Sequence, residues 1–116
     1  MSARLHGLIL LFIASLATAD EPRNTELTTE QAQGRALFNA SCVFCHGERG
    51  QATTLLGKRL GPDNALLEKR TNLTSELIRH VVRHGINSMP WYPRAELSDH
   101  DLQLITAYLL RANAAK

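Results

Sequence analysis

The sequence predicts a small all-α domain, and three observations support this fold class. Residues that commonly begin helices, Thr28, Thr74 and Ser98, each precede a segment in which apolar residues recur at helical spacing. Runs of alternating apolar and polar residues bounded by turns, which indicate strands, are almost absent. With 116 residues, the chain is long enough for one domain with a modest core. We expect three to four helices joined by long loops.

The first residues have the features of an export signal. Arg4 precedes an apolar run over residues 8–16, and Ala17-Thr18-Ala19 forms a small-x-small cleavage site before the charged Asp20. The apolar run is shorter than the roughly 20 residues that a membrane-spanning helix needs, and no later stretch is apolar enough to cross a bilayer. We therefore expect a soluble exported protein, located in the periplasm if the source is a bacterium. The predicted segments are a cleaved signal peptide (1–19), a mobile lead-in (20–27) and one domain (28–116).

The first helix is predicted to begin after Thr28, because Gln31 lies three residues later and completes a capping box. Gly34 lowers the stability of this helix, which indicates that another helix approaches closely at this position. The following segment is predicted to contain a loop over residues 47–50, turns at Gly57 and Gly61-Pro62, and a short helix over residues 64–70.

Two further helices are predicted in the second half of the chain. The first is capped by Thr74 or Ser75 and stops at Gly85. A loop over residues 86–97 follows, because Pro90 and Pro93 cannot continue a helix. The last helix begins at Ser98, with acidic residues near its N-terminus, where the helix dipole favours negative charge. Each helix has an apolar stripe, formed by Leu77, Ile78, Val81 and Val82 in the first and by Leu102, Ile105, Tyr108 and Leu109 in the last.

The segment Cys42-Val43-Phe44-Cys45-His46 is the most informative motif in the chain. A C-x-x-C-H sequence is the attachment signal for c-type haem. Cys42 and Cys45 can form thioethers with the two vinyl groups of the porphyrin, and His46 supplies a neutral nitrogen to the iron. The motif therefore predicts one covalently attached haem c. A large apolar cofactor would also supply packing surface that the few aromatic residues of the chain do not provide.

Three other interpretations of the two cysteines compete with haem attachment. A disulfide between them would close a very small loop and stabilise little. A redox-active dithiol of the thioredoxin type normally lies where a strand meets a helix, and strand signals are almost absent. A zinc site would use Cys42, Cys45, His80 and His84, but the gap between Cys45 and His80 exceeds that of a compact zinc finger. Haem attachment remains the favoured interpretation.

Met89 is the predicted second axial ligand of the iron. It is the only methionine besides Met1, and it lies in the loop that follows the helix end at Gly85. Pro90 biases Met89 to an extended conformation and so helps to aim its side chain. The rival ligands His80 and His84 are expected on the polar side of their helix, and His100 is expected at the surface. A thioether ligand favours ferrous iron and closes the sixth position to oxygen and peroxide, which indicates electron transfer.

The chain resembles the class I c-type cytochromes over nearly all of the segment after the leader. The resemblance consists of Gly34 and Phe38 in the first helix, the C-x-x-C-H motif, a methionine loop and Tyr108 in the last helix. It implies a cytochrome c fold around one haem, in which Gly34 and Phe38 pack against the last helix at Tyr108. It also implies a Gly-Pro whose proline carbonyl accepts the Nδ1 proton of the ligand imidazole. Gly61-Pro62 is the candidate, although it lies later in the sequence than in the family.

The segment over residues 82–93 is similar to the methionine loop of cytochrome subunits that accept electrons from flavin-dependent phenol dehydrogenases such as p-cresol methylhydroxylase. This resemblance implies a periplasmic electron carrier with a flavoprotein dehydrogenase as donor and a further cytochrome or copper protein as acceptor. The alternative is a haem enzyme or gas-binding protein, such as a peroxidase, with an open sixth position. The sequence shows no obvious set of acid-base residues that would support catalysis by such an enzyme.

The charge of the chain gives no indication of general attraction to nucleic acids or membranes, because 13 Lys and Arg are nearly balanced by 11 Asp and Glu. The distribution is uneven, however. Residues 49–94 hold eight Lys or Arg and three Asp or Glu. We therefore expect an acidic redox partner to dock on this segment, with an association rate that falls as the salt concentration rises.

Overall fold

The computed structural model describes residues 26–115, and the regular structure in this range is helical apart from one isolated bridge between Ile86 and Met89. The predicted signal peptide and its cleavage site lie outside the described residues. The all-α prediction is confirmed, with four helices of ten or more residues and one helix of a single turn. The helices are α1 (Thr29–Ser41), α2 (Val43–His46), α3 (Gln51–Leu60), α4 (Ser75–His84) and α5 (Asp99–Leu110).

The predicted capping box at the start of α1 is present. The Thr28 hydroxyl accepts a hydrogen bond from the Gln31 backbone N–H at 3.2 Å, and the Gln31 side chain accepts one from the Thr28 N–H at 3.1 Å. Two N–H groups that have no partner within the helix are thereby satisfied. The predicted starts of α4 and α5 are confirmed as well, because the side chains of Thr74 and Ser98 accept backbone hydrogen bonds in their first turns.

Helices α1 and α5 cross in close contact and form the largest interhelical interface among the described residues. A Cβ atom built on Gly34 would lie 2.0 Å from the carbonyl oxygen of Leu104, so only glycine permits this approach. One turn further along α1, the ring of Phe38 lies 5.9 Å from the ring of Tyr108, centroid to centroid. The predicted crossing of the first and last helices is therefore confirmed.

The hydrophobic core joins α1, α4 and α5 and excludes α3. Phe38 is almost completely buried at the centre of the core. The one buried residue of α3 is Thr53, so this helix lies at the margin of the domain and leaves a pocket between itself and the rest. The buried core cluster consists of Phe38, Leu73, Ile78, Leu97, Leu102, Ile105, Tyr108 and Leu109.

The predicted turn at Gly57 is wrong, because α3 continues through this residue. A Cβ atom built on Gly57 would lie 3.3 Å from the Cβ of Ala65, so the glycine allows the following segment to pack closely against the helix. The side chain of Thr53 donates a hydrogen bond to the carbonyl of Gly47 at 2.8 Å and fixes the start of α3 to the preceding loop. Helix α3 ends at Leu60, where Gly61 adopts a φ of 87°.

The predicted helix over residues 64–70 is also wrong. The chain forms two 3₁₀ turns instead, Pro62–Asn64 and Leu67–Lys69. Leu66 between them has an extended backbone, with φ −88° and ψ 118°, which interrupts any continuous helix. In α4 the predicted apolar stripe is present at Ile78, but Leu77 is 43% exposed.

Candidate functional site

One pocket of about 280 Å³ contains all four predicted cofactor-binding residues. Cys42, Cys45 and His46 line it from the segment where α1 ends and α2 begins. Met89 lines it from the loop after α4. Residues that are far apart in the sequence thus line one cavity together.

Apolar side chains of α3 form another wall of the same pocket. Ala52, Leu55 and Leu56 line it from the helix, and Ile86 and Pro90 line it from the methionine loop. The sequence prediction missed this wall because it placed a turn at Gly57. The recurrence of Ala52, Leu55 and Leu56 at helical spacing was the signal that could have revealed it. A pocket with such walls suits an apolar group.

The two cysteines are held on a single turn of backbone. The Cys45 N–H and the His46 N–H both donate hydrogen bonds to the carbonyl of Cys42, at 3.2 and 2.9 Å. Gly50 permits the next loop to lie directly against this turn, since a Cβ atom there would come within 2.1 Å of the Cys45 carbonyl oxygen. Cys42 is half-buried, Cys45 is exposed, and both thiols are free.

A tight turn presents Met89 to the pocket. The backbone groups of Ile86 and Met89 are paired, with hydrogen bonds of 3.3 Å from the Ile86 N–H and 2.9 Å from the Met89 N–H. Asn87 within this turn adopts a φ of 51°, a left-handed conformation that asparagine tolerates better than most residues. The turn begins at Gly85, whose φ of 70° ends α4 and redirects the chain.

A family model described as "Cytochrome C oxidase, cbb3-type, subunit III" matches residues 29–109. The chain belongs to this family of c-type cytochromes. A protein named "Cytochrome c6" from Cyanidioschyzon merolae is 32% identical over 79 residues, which are 68% of this chain and 71% of the relative. No solved structure matches the chain. As a c-type cytochrome, the protein transfers electrons rather than catalysing a reaction, and its family implies covalently bound haem c.

The pocket of this cytochrome fits the haem c that its family implies. Two thiols suit attachment to the vinyl groups, and an imidazole and a thioether that could bind iron line the same cavity. Burial, with a smaller contribution from Cys45, raises the pKa of the Cys42 thiol to about 11. Burial lowers the pKa of the His46 imidazole. The neutral imidazole favoured by that shift is the form that can donate a lone pair to iron.

The Nδ1 atom of His46 is buried and has no hydrogen-bond partner among the described residues. The resemblance to the cytochromes implies that a proline carbonyl accepts its proton, with Pro62 as the candidate. In the structure the Pro62 carbonyl accepts a hydrogen bond from the Ala65 N–H at 3.2 Å, and no bond from His46 to Pro62 is present. A role for Pro62 in orienting the imidazole is therefore not supported by this geometry.

The rival metal sites find no support in the part of the chain that the structure describes. Within residues 26–115, no group of three or more His, Cys, Asp or Glu side chains is arranged to hold a metal ion. The rings of His80 and His84 stack on one another at 4.5 Å and are exposed, and neither lines the pocket of the cysteines. His100 is exposed as predicted. These positions contradict the alternative of a zinc site with Cys42 and Cys45.

The methionine loop is tied to the haem-binding motif by a residue that the sequence analysis did not assign. Tyr92 lines the pocket, and its hydroxyl donates a hydrogen bond to the Ser41 carbonyl at 3.3 Å, next to Cys42. Burial raises the pKa of this tyrosine, which keeps the hydroxyl protonated as a donor.

No helix within residues 26–115 has the length and apolar character needed to cross a membrane.

Proposed function

We propose that the chain is a periplasmic carrier of single electrons, with haem c bonded to Cys42 and Cys45 and with His46 and Met89 as the two axial ligands of the iron. One observation carries this proposal: the four side chains line the same pocket although they come from separate parts of the chain. The leader over residues 1–19 supports export, since it has the features of a signal peptide.

The bound haem supplies a one-electron iron couple, and the chain supplies the surroundings of that couple. His46 offers its ring nitrogen in the neutral form, because burial disfavours the protonated ring. Met89 offers a soft sulfur, which favours ferrous iron and raises the reduction potential relative to a second histidine. Leu55 and Leu56 give part of the pocket an apolar lining. The side at Cys45 is exposed, so a partner protein reaches the pocket there.

The proposed electron donor is a flavoprotein dehydrogenase of the p-cresol methylhydroxylase type, and the proposed acceptor is a further cytochrome or a copper protein. The sequence over residues 82–93 supports the donor, because it resembles the methionine loops of such cytochrome subunits. Two large apolar side chains of this loop are exposed, Trp91 by 61% and Ile86 by 54%. Exposed aromatic and aliphatic side chains beside a redox centre suit a protein interface.

The near-infrared absorption of the ferric protein tests the axial ligands. The experiment uses full-length protein matured in a host that attaches haem c. We expect low-spin ferric iron with the weak band of an iron–thioether bond, and we expect Met89→Ala to lose that band. His80→Ala, His84→Ala and His100→Ala are the controls and should keep it. High-spin ferric iron in the unaltered protein would instead favour a haem enzyme or gas-binding protein with an open sixth position.

The proposed donor is tested by reduction kinetics with a purified flavoprotein phenol dehydrogenase and its substrate. Trp91→Ala should slow the reduction by about tenfold while leaving the reduction potential unchanged, because a central aromatic contact is a common determinant of affinity. Leu60→Ala removes a similarly exposed apolar side chain outside this loop and should have no effect. If the dehydrogenase does not reduce the unaltered protein, this donor is refuted. If Trp91→Ala is reduced as fast as the unaltered protein, docking at this loop is refuted.

A further inference from the structure

Arg83 is the most heavily bonded charged side chain beside the methionine loop. It lies in the last turn of α4, and 10% of its side chain is exposed. Its Nη1 donates hydrogen bonds to the carbonyls of Tyr92 and Leu97, both at 2.9 Å. Its Nη2 donates to Oδ1 of Asp99 at 2.7 Å. One guanidinium thus joins the end of α4, two points of the methionine loop and the first residue of α5.

The bonds of Arg83 fix the position of the backbone just beyond Met89. Tyr92 follows Met89 by three residues, and its N–H donates to the Val82 carbonyl at 2.8 Å while its carbonyl accepts from Arg83. Both backbone polar groups of Tyr92 are therefore held by adjacent residues of α4. Pro90 restricts the short segment between Met89 and Tyr92. These hydrogen bonds of Tyr92 therefore oppose movement of the Met89 thioether out of the pocket.

We propose that Arg83 is a positioning residue that holds Met89 in place as the axial ligand and slows its departure from the iron. The inference rests on the proposed function, since it requires Met89 to bind the iron. The physical basis is that hydrogen bonds from a charged donor are about twice as strong as neutral ones. Without Arg83, the carbonyls of Tyr92 and Leu97 would lose this hydrogen-bond donor in the native loop conformation. The free energy needed to move the loop away from the pocket would therefore be lower.

Lysine cannot reproduce this arrangement. The guanidinium is a planar fork with five donors, and here it reaches three acceptors, two in the loop and one at the start of α5. An ammonium group has the same charge but a different geometry. Arg83→Lys therefore separates positioning from a purely electrostatic influence of the charge on the iron.

Arg94 is the matched control. It also forms an ion pair with Asp99, from its Nε to Oδ2 at 2.7 Å, but 73% of its side chain is exposed. Its exposed ion pair is expected to contribute little to stability. Arg94→Gln removes a positive charge of the same ion-pair group and leaves both hydrogen bonds of Arg83 to the loop carbonyls intact.

The test measures how fast imidazole binds to the ferric, haem-loaded protein, because an external ligand enters only after the thioether leaves the iron. We expect Arg83→Met to bind imidazole at least about tenfold faster, which corresponds to the loss of one charge-assisted hydrogen bond. Arg83→Lys should accelerate binding in the same direction, and Arg94→Gln should remain within about twofold of the unaltered protein. The pH at which the near-infrared band disappears should fall in both Arg83 variants.

The same variants in the Met89→Ala background distinguish positioning from a general loss of structure. Without the thioether, Arg83→Met should no longer change the imidazole rate, and a persistent effect would overturn the proposal. Unchanged rates in the Arg83 variants of a protein that shows the near-infrared band would also overturn it and leave the proposed function intact. An unaltered protein without that band would contradict the proposed function itself. Should Arg83→Met fail to fold, Arg83→Lys supplies the same comparison.

Discussion

Replacement of Gly34 by alanine tests the crossing of α1 and α5 most severely. The added methyl carbon would lie 2.0 Å from the carbonyl oxygen of Leu104 and 2.6 Å from its carbonyl carbon. Both are backbone atoms of α5, so no side chain can rotate away to make room. The two helices would have to separate, which would weaken the contact between Phe38 and Tyr108.

The size of the effect follows from two opposing contributions. Overpacking a well-packed interface costs about 1–3 kcal/mol, and a clash with backbone atoms belongs at the upper end of that range. Alanine in place of glycine gains about 1 kcal/mol in helix propensity. We therefore expect a net loss of about 2 kcal/mol in the free energy of unfolding. For a domain of this size, the midpoint of thermal unfolding should fall by about 8–16 °C.

Thermal unfolding of the haem-loaded protein, followed by circular dichroism, measures this loss. Gly57→Ala is the matched control, since Gly57 also lies within a helix but the added carbon would lie 3.3 Å from the Cβ of Ala65. A small shift of that side-chain atom relieves the contact, so we expect a change of less than about 1 kcal/mol. A Gly34→Ala protein as stable as the unaltered one would refute the close crossing of α1 and α5.

Three further predictions concern the loop, the pH dependence and the cofactor. Gly85→Ala would place a Cβ 2.7 Å from the Met89 carbonyl oxygen at a φ of 70°, so the near-infrared band of the iron–thioether bond should weaken or disappear. Hydrogen bonds from Arg94 and then Arg83 lower the pKa of Asp99 from its ordinary value of 3.8. The stabilising contribution of this carboxylate is therefore complete above about pH 4 and is lost as the pH falls through the lowered pKa. In urea titrations, the stability difference between the unaltered protein and Asp99→Asn should shrink below that pH, and a constant difference would contradict this. The haem-free chain should lack a sharp, cooperative unfolding transition in calorimetry, because haem supplies part of the core.

Features encoded by neighbouring residues were predictable from the sequence. The capping box at Thr28 and Gln31 depends on two residues three apart, and the end of α4 depends on Gly85 alone. The motif from Cys42 to His46 likewise predicts haem attachment from five consecutive residues. Such local patterns determine the ends of helices and the attachment signal without any knowledge of the tertiary structure.

Features that depend on tertiary packing were not predictable. Gly57 indicated a turn, but close packing against Ala65 makes a glycine acceptable inside α3. The apolar wall of the pocket was missed with that helix. Arg83 was an unremarkable cation in the sequence, and its importance arises because the loop carbonyls at residues 92 and 97 converge on it. Pattern-based reasoning has no access to such long-range pairings.

Mass spectrometry of protein matured in a host that attaches haem c tests the central claim most directly. Digestion should yield one peptide that contains both Cys42 and Cys45 and carries the additional mass of a single haem. The intact mass should correspond to a chain that begins at Asp20, with one haem attached. A colourless protein whose cysteine-containing peptide has its unmodified mass would contradict the account.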